Sequence, residues 1–394
     1  MLPNDKFELT EAQKRIWYTQ MLYPKSSMYN IGGVARIKGK IDVDCLKKAI
    51  CDTIHLYDAL SIKIVNDGGR IMQYFDVGHE PDIKVVDFSH EEEAKDIYER
   101  WLHIKQHELF DMCNQLLYEI VILKFNDKEF GYFIKMHHII SDGWSIQMFT
   151  QKMCNYYDAL YNQVTIDKSD IPYSYRDYIV SENEYLNSSN YQKSEQFWLN
   201  EFKDDFCTTT RISNDVLGKR ISYEMEQNIS NDIYGFCKSR SISLNTFFIS
   251  IYLMAHSFLY DIDDIIVSIP LLGRNSRVQM KTFGMFATLV PLRYRIDMES
   301  TYSDYLDNLN TKLKAIYLRQ RYPYNHLIKA LENQSKQFHM LNAVCVNYYN
   351  TLPSVKIQGF DIISEEFYNG EQDYSLQLII RDWNDKHCIH LDFD

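Results

Sequence analysis

The chain has 394 residues, 45% hydrophobic and 24% charged. That bounds it to one large domain or two ordinary ones with a full core, and excludes a fibrous or disordered polymer. A net charge of −12 excludes the basic footprint of a nucleic-acid binder and disfavours a membrane-surface role.

The predicted elements follow in chain order. "LTEAQKRIWYTQMLY" opens on a threonine cap and reads as a helix over about 10–22. "GGVARIKGKI" alternates like a strand, and 42–55 carries apolar residues at helical spacing. "LSIKIVNDGGRIMQYF" is two strands around Asn-Asp-Gly-Gly, a hairpin signal. Residues 89–109 read as a helix with Glu91, Glu92 and Glu93 at its solvated start, where the helix dipole favours acids. "LYEIVILKFNDKEFGYFIKMHH" is a second hairpin, turning near Asn126-Asp127-Lys128, and a helix begins just past Asp142.

The polar stretch 162–172, ending in proline, is the best boundary, and it divides the chain into lobes 1–168 and 169–394. Beyond it, helices are expected near 174–186, 191–204, 229–239, 243–260, 302–319 and 323–333. Strands are expected near 219–226, in "DDIIVSIPLLGRN", and near 286–296, 341–349, 357–366, 373–381 and 386–394. The longest apolar run, 246–260, is too short to span a bilayer and reads as a buried core helix. Each half mixes strands and helices, so the fold class is α/β with two similar lobes. The last strand has no closing helix after it, as in a fragment that lacks its final helix.

Eight cysteines, at 45, 51, 113, 154, 207, 237, 345 and 388, form no Cys-x-x-Cys pair. They read as reduced, mostly buried thiols of a cytoplasmic protein. The N-terminus lacks the basic-then-apolar pattern of a secretion signal.

"FIKMHHIISDGWS" (133–145) places two histidines at a strand end, with Asp-Gly following at a helix entrance. Strand parity puts His138 on the face of Ile134 and Met136, and His137 on the opposite face. A strand end leading through a short loop into a helix exposes side chains that rigid flanking elements hold in place. Asp142 suits the helix cap, Gly143 permits close approach of substrate or backbone, and free N–H groups at the helix start suit a developing oxyanion.

"HHIISDG" resembles the His-His-x-x-x-Asp-Gly signature of condensation domains of nonribosomal peptide synthetases. "LTEAQKRIWYTQMLYPKSSMYNIGG" is similar to that family's opening Ala-Gln-x-Arg motif. "YRDYIVSENEYL", "GRNSRVQMKTFGMFATLVPLR", "RQRYPYNHLI" and "VCVNYYN" resemble its later segments in order and spacing, from about residue 8 to residue 394. The opening motif and "RYPYN" look most like the starter subtype, which joins a fatty acyl group to the first amino acid of a lipopeptide.

The resemblance implies two chloramphenicol-acetyltransferase-like lobes in a V-shaped pseudo-dimer, with the active-site tunnel at their interface. It implies acyl transfer from a thioester to the amine of an aminoacyl group. His138 would be the active residue, His137 structural, and Gly143 part of the site lining. Asp142 would pair with Arg274, and Trp144, Ser145 and Asn347 are candidates to line the tunnel. No cofactor would be bound covalently. Substrates would arrive on coenzyme A or on the phosphopantetheine of a peptidyl carrier protein, and an adenylation domain of the same synthetase would be a further partner. The domain itself would be monomeric, with no nucleic-acid or membrane partner.

No Gly-x-Ser-x-Gly elbow and no marked cysteine nucleophile is present, so direct transfer needs no acyl-enzyme. A free α-amine has a pKa of about 7.7–8.0, so the harder proton is the one left on nitrogen after attack. His138 suits its removal, either as base or as a positioning donor. An elongation domain joining two carrier-bound groups, and an idle docking domain of the same fold, are the alternatives.

Two departures stand out: Leu56, Tyr57 and Ser61 where the family's second motif is basic, and Ala287-Thr288 where Val-Asn is commoner. They could alter the hairpin region and the tunnel. His103 and His107 are four apart on a helix, but Ile104 stands where a zinc protease needs glutamate, so no metal site is expected. "NDGGR" is a hairpin turn and not a phosphate loop.

Overall fold

Local chemistry starts most of the helices. Thr10 and Gln13 form a reciprocal capping box, and Asp42, Asp142, Ser188, Ser243 and Thr301 each accept a backbone N–H with their side chains. The structure is a computed structural model and describes residues 5–165, 172–204, 206, 216–332, 341, 343–349, 355–383 and 386–394.

The first half runs β1 (Phe7–Glu8), α1 (Glu11–Leu22), β2 (Asn30–Ile37), α2 (Val43–Leu56), β3 (Ile62–Asp67), β4 (Arg70–Phe75), β5 (Lys84–Asp87), α3 (Ala94–His107), β6 (Tyr118–Asn126), β7 (Glu129–His137) and α4 (Gly143–Tyr161). The second runs α5 (Tyr175–Leu186), α6 (Ser189–Glu201), β8 (Lys219–Glu224), α7 (Gln227–Arg240), α8 (Leu244–Tyr260), β9 (Asp264–Leu271), β10 (Thr288–Arg295), α9 (Tyr302–Tyr317), α10 (Tyr324–Glu332), β11 (Val344–Tyr349), β12 (Lys356–Ile357), β13 (Phe360–Glu366), β14 (Leu376–Trp383) and β15 (Lys386–Phe393).

The chain forms two compact units. The first takes Met1–Glu184, Arg274–Phe286 and Leu352–Asn369. Its six-stranded sheet has the order β12-β13-β2-β7-β6-β5, and a three-stranded sheet has the order β1-β4-β3. β7 is the central antiparallel partner of both β2 and β6, and from Phe130 to His137 it is buried. In the hairpin β3–β4, Gly68 and Gly69 both take positive φ (61° and 91°), the backbone of a type I′ turn.

The second unit takes Tyr185–Gly273, Ala287–Thr351 and Gly370–Asp394, around a six-stranded sheet of order β10-β9-β11-β14-β15-β8. Leu253 of α8, Val267 and Ile269 of β9, Leu306 and Leu309 of α9 and Val346 of β11 lie in one core cluster. The mixed α/β class expected of the sequence is the class observed.

Several expectations need correction. Division at residue 168, which itself lies outside the described residues, does not describe how the chain folds. β13 hydrogen-bonds to the edge of β2 (Ile362 opposite Ile37), and Arg274–Phe286 also belongs to the first unit. Glu91, Glu92 and Glu93 precede α3 and do not form its first turn. The short strands β1 and β5 were not predicted, having too few residues to show a period. α8 is not buried all round: Phe248, Ile249 and Leu253 face the core, while Ile251, Met254 and Phe258 (87% exposed) face outward. Among the described residues seven cysteines are free, and only Cys154, Cys237 and Cys345 are buried; Cys207 lies outside the described residues. Among the described residues no single helix is long and apolar enough to cross a bilayer.

Candidate active site

His137 is the last residue of β7, opposite Asn30 of β2. His138 lies one residue beyond the strand, in the turn, and its backbone N–H donates to Tyr29 O at 2.8 Å. The two rings differ sharply. His137 is 2% exposed, whereas His138 is half-buried.

Their hydrogen bonds fix opposite tautomers. The Ile139 N–H can only donate, so His137 Nδ1 accepts it, at 3.2 Å. The proton of His137 therefore sits on Nε2, 3.2 Å from Gln20 Oε1. The Gln20 amide is itself oriented, because its Nε2 donates to Tyr23 O and Ser26 O at 2.9 and 3.0 Å. At His138 the order reverses. Nδ1 lies 2.9 Å from Ser141 O, which can only accept, so Nδ1 carries the proton and Nε2 keeps a free lone pair.

Both rings are held neutral. Burial pushes His137 down to about 3, with His138 beside it adding to the shift. Burial also lowers His138; Asp142 opposes that shift and Arg15 reinforces it.

Asp142 caps α4 through Oδ1, which accepts the Ser145 N–H at 2.9 Å. The same carboxylate takes a two-pronged ion pair from Arg274: Nη1 to Oδ2 at 2.5 Å and Nη2 to Oδ1 at 3.1 Å. Phe286 N donates to Oδ2 at 3.1 Å. Burial alone would raise the Asp142 carboxyl, but Arg274 and these hydrogen bonds outweigh it and hold it below the ordinary carboxylate value. The guanidinium carbon of Arg274 sits 4.3 Å from the Phe286 ring centroid, a cation–π contact in a buried setting.

Ser145 corrects one expectation. It is not on an open lining but fully buried. Its hydroxyl donates to Gly284 O at 2.8 Å, and accepts from Gly284 N at 3.0 Å and from Arg274 Nη2 at 2.8 Å. Gly284 has a φ of +152°, and a Cβ there would lie 2.2 Å from the Tyr175 ring. Tyr175 in turn donates to Met285 O at 2.8 Å. Trp144 is half-buried and gives its indole N–H to Met280 O at 3.1 Å. Gly143 is the half-buried first residue of α4. The structure thus brings His137, His138, Asp142, Gly143, Trp144, Ser145 and Arg274 together in the first unit. Asn347 lies on β11 of the second unit, half-exposed.

Residues not singled out by the sequence complete the site's support: Gln20 under His137, Tyr29 and Ser141 around His138, and Asp58. Asp58 accepts from Ser174 Oγ at 2.5 Å and from Tyr175 N at 3.0 Å. The departure at Tyr57 is accommodated by stacking on Phe283, ring centroids 5.0 Å apart. Burying polar glutamines on the inner face of a helix is the signal that could have found Gln20. Among the described residues no group of three His, Cys, Asp or Glu could hold a metal ion. His107 turns its two ring nitrogens to the carbonyls of His103 and Asn369, at 2.7 and 3.1 Å.

The chain is similar to known proteins along nearly its whole length. It is 24% identical over 98% of its length to a plipastatin synthase protein of Bacillus subtilis (strain 168), of which it spans 15%. It is also 24% identical over 98% of its length to surfactin synthase subunit 1 of the same organism, of which it spans 11%. Among solved structures, the starter condensation domain of rhizomide synthetase RzmA, as a double mutant with C8-CoA and Leu-SNAC, superposes with a TM-score of 0.86 at 20% identity, covering 98% of this chain and 88% of that one. The first condensation domain of the calcium-dependent antibiotic synthetase gives 0.86 at 17% identity, covering 100% and 92%. VibH, a nonribosomal peptide synthetase condensation enzyme, gives 0.82 at 18% identity, covering 97% and 89%. These likenesses show the chloramphenicol-acetyltransferase-like fold. The condensation-domain pattern matches residues 4–394, and over that span the chain is a member of the condensation-domain family.

Proposed function

We propose that the chain forms an amide bond by moving an acyl group from a thioester to the amine of an aminoacyl group on a peptidyl carrier protein. We further propose the starter variety, in which the acyl donor is a fatty acyl-coenzyme A or acyl carrier thioester. The observation that carries the reading is the state of His138: neutral, half-buried, with Nδ1–H spent on Ser141 O and the Nε2 lone pair left as base.

The amine nitrogen attacks the thioester carbonyl carbon, and an N–C bond forms. The nitrogen then carries a proton of low pKa, which His138 Nε2 takes. The C–S bond breaks, and the departing sulfur leaves as thiol with that proton. Atoms and charge balance with no acyl-enzyme. Consistent with that, burial holds the thiols of Cys45, Cys51, Cys113, Cys154, Cys237 and Cys388 above the ordinary range, so none is activated as a nucleophile. General-base help supplies about 10²–10⁴ in rate. Alignment of two tethered reactants supplies as much as about 7–11 kcal/mol more.

The starter reading is supported by the likeness to the rhizomide starter domain, whose structure contains C8-CoA. An adenylation domain that loads the carrier belongs to the same proposal, since the curated relatives are much longer than this chain. The test is mass spectrometry of a carrier-bound amino acid incubated with the chain and mixed acyl-CoA donors. N-acylated product supports the starter reading. Product only from a second, carrier-bound aminoacyl donor replaces it with elongation. Carrier binding with no product from any donor replaces both with an idle docking domain.

A further inference from the structure

Helix α1 grips the histidine loop at two points. Gln13 and Gln20 are seven residues apart, two turns, and both lie on the buried face of the helix. Gln20 holds His137, as described above. Gln13 reaches the residue on the other side of His138: its Nε2 donates to Ile139 O at 3.0 Å.

The Gln13 amide is fully used. Nε2 also donates to Gln73 Oε1 at 2.9 Å, while Oε1 accepts from Gln73 Nε2 at 2.8 Å and from Thr10 N at 2.9 Å. Gln13 and Gln73 are both completely buried, so no water replaces a lost partner there. The Ile139–Ile140 peptide is held at both ends. Gln13 binds its carbonyl, and its N–H, at Ile140, donates to His137 O at 3.1 Å. Two residues on, Ser141 O sets the proton of His138. Turning that peptide would swing Ser141 O away from the ring.

We propose that Gln13 is a positioning residue: by holding the Ile139 carbonyl it fixes the tautomer and orientation of the His138 ring without touching substrate. Its kinetic consequence rests on the acyl-transfer reading above, while its effect on the ring does not.

The experiment compares Gln13→Met, which keeps the side-chain length and loses the amide, with Gln73→Met. The second variant breaks the same amide pair but leaves the Gln13 bond to Ile139 available. Ring ¹H–¹⁵N spectra of the ¹⁵N-histidine-labelled chain are recorded at neutral pH beside steady-state kinetics. Wild type should show His138 protonated on Nδ1 and His137 on Nε2. Gln13→Met should lose the single His138 tautomer and lower kcat about ten- to a hundredfold with both KM values unchanged, as a small misplacement of a catalytic group does. Gln73→Met should keep the ring signature and kcat, even with a similar fall in Tm.

A folded Gln13→Met with wild-type spectrum and turnover overturns the proposal. So does a Gln73→Met that disturbs His138 equally. If Gln13→Met does not fold, Gln13→Ala is read in the same way: a changed His138 ring spectrum supports the proposal, and an unchanged one overturns it. Should His138→Ala turn over like wild type, the acyl-transfer reading fails by itself, and the spectra still decide the role of Gln13.

Discussion

Asp142 and Arg274, 132 residues apart in sequence, meet in a buried two-pronged ion pair with Nη1–Oδ2 at 2.5 Å. The pair joins the loop that follows the histidines to the segment Arg274–Phe286. A buried pair is costly to break from one side, because the remaining charge is left without a partner, at about 3–5 kcal/mol. Arg274→Met and Asp142→Asn should each lower the unfolding free energy read from urea melts by that order. The double variant should cost clearly less than the sum of the two, with a coupling of about 0.5–3 kcal/mol. Unfolding curves that match wild type, or strictly additive costs, would remove the pair as a structural tie. Since the folded Asp142 carboxyl is depressed, its contribution is present above the unfolded carboxylate value and is lost as pH falls through the folded one.

His137 should make stability depend on pH in a narrow window. Its folded value is pushed down to about 3 from an ordinary 6.5. The unfolded chain therefore binds the extra proton between those limits. Stability is complete above the unfolded value, falls as pH drops towards 3, and levels off below it. The slope from this one group is at most about 1.4 kcal/mol per pH unit. Subtracting the profile of His137→Asn from that of wild type should leave this fall. A flat difference between pH 4 and 6.5 would show that the ring is not kept neutral by burial.

Glu182 of α5 has the opposite sign. Burial raises its carboxyl to about 7, with its Oε2 accepting the Glu11 N–H at 2.9 Å and Oε1 accepting from the Tyr178 hydroxyl at 3.2 Å. A raised acid favours the folded state below its unfolded value, and that advantage fades as pH rises through 7. Glu182→Gln keeps an acceptor for Glu11 N and carries no charge. Its Tm should exceed that of wild type at pH 8 and approach it near pH 5. A Tm deficit for the variant at pH 8 would contradict the assignment.

Much of this was legible in the chain. The period-2 and helical patterns marked the hairpins β3–β4 and β6–β7 and most of the helices, because each carries a turn or cap signal as well as a period. "HHIISDG" pointed to the candidate site as a strand end running into a capped helix, but strand parity does not decide the two rings, because β7 ends at His137 and His138 lies in the turn. The resemblance supplied what spacing could not, that Asp142 would meet Arg274.

Other features were hidden for physical reasons. β13 joins the first unit's sheet through main-chain hydrogen bonds, which leave no mark on side-chain pattern. α8 reads as apolar all round, and only the fold decides which face its neighbours cover. Ser145 was a lining candidate only through the resemblance, and the first turn of α4 aims it at Gly284. Gln20 differs in sequence from a surface glutamine in nothing but helix phase, and Gln13, though it stands in the Ala-Gln-x-Arg motif, carries no mark there of the carbonyl it holds.

The most direct test of the account is turnover by His138→Ala, with acyl donor and loaded carrier both saturating and product counted by mass spectrometry. The ring is half-buried and its removal leaves the Asp142–Arg274 tie intact, so the variant should stay folded. We expect a fall of about 10²–10⁴ in rate; turnover equal to wild type would contradict a base at Nε2.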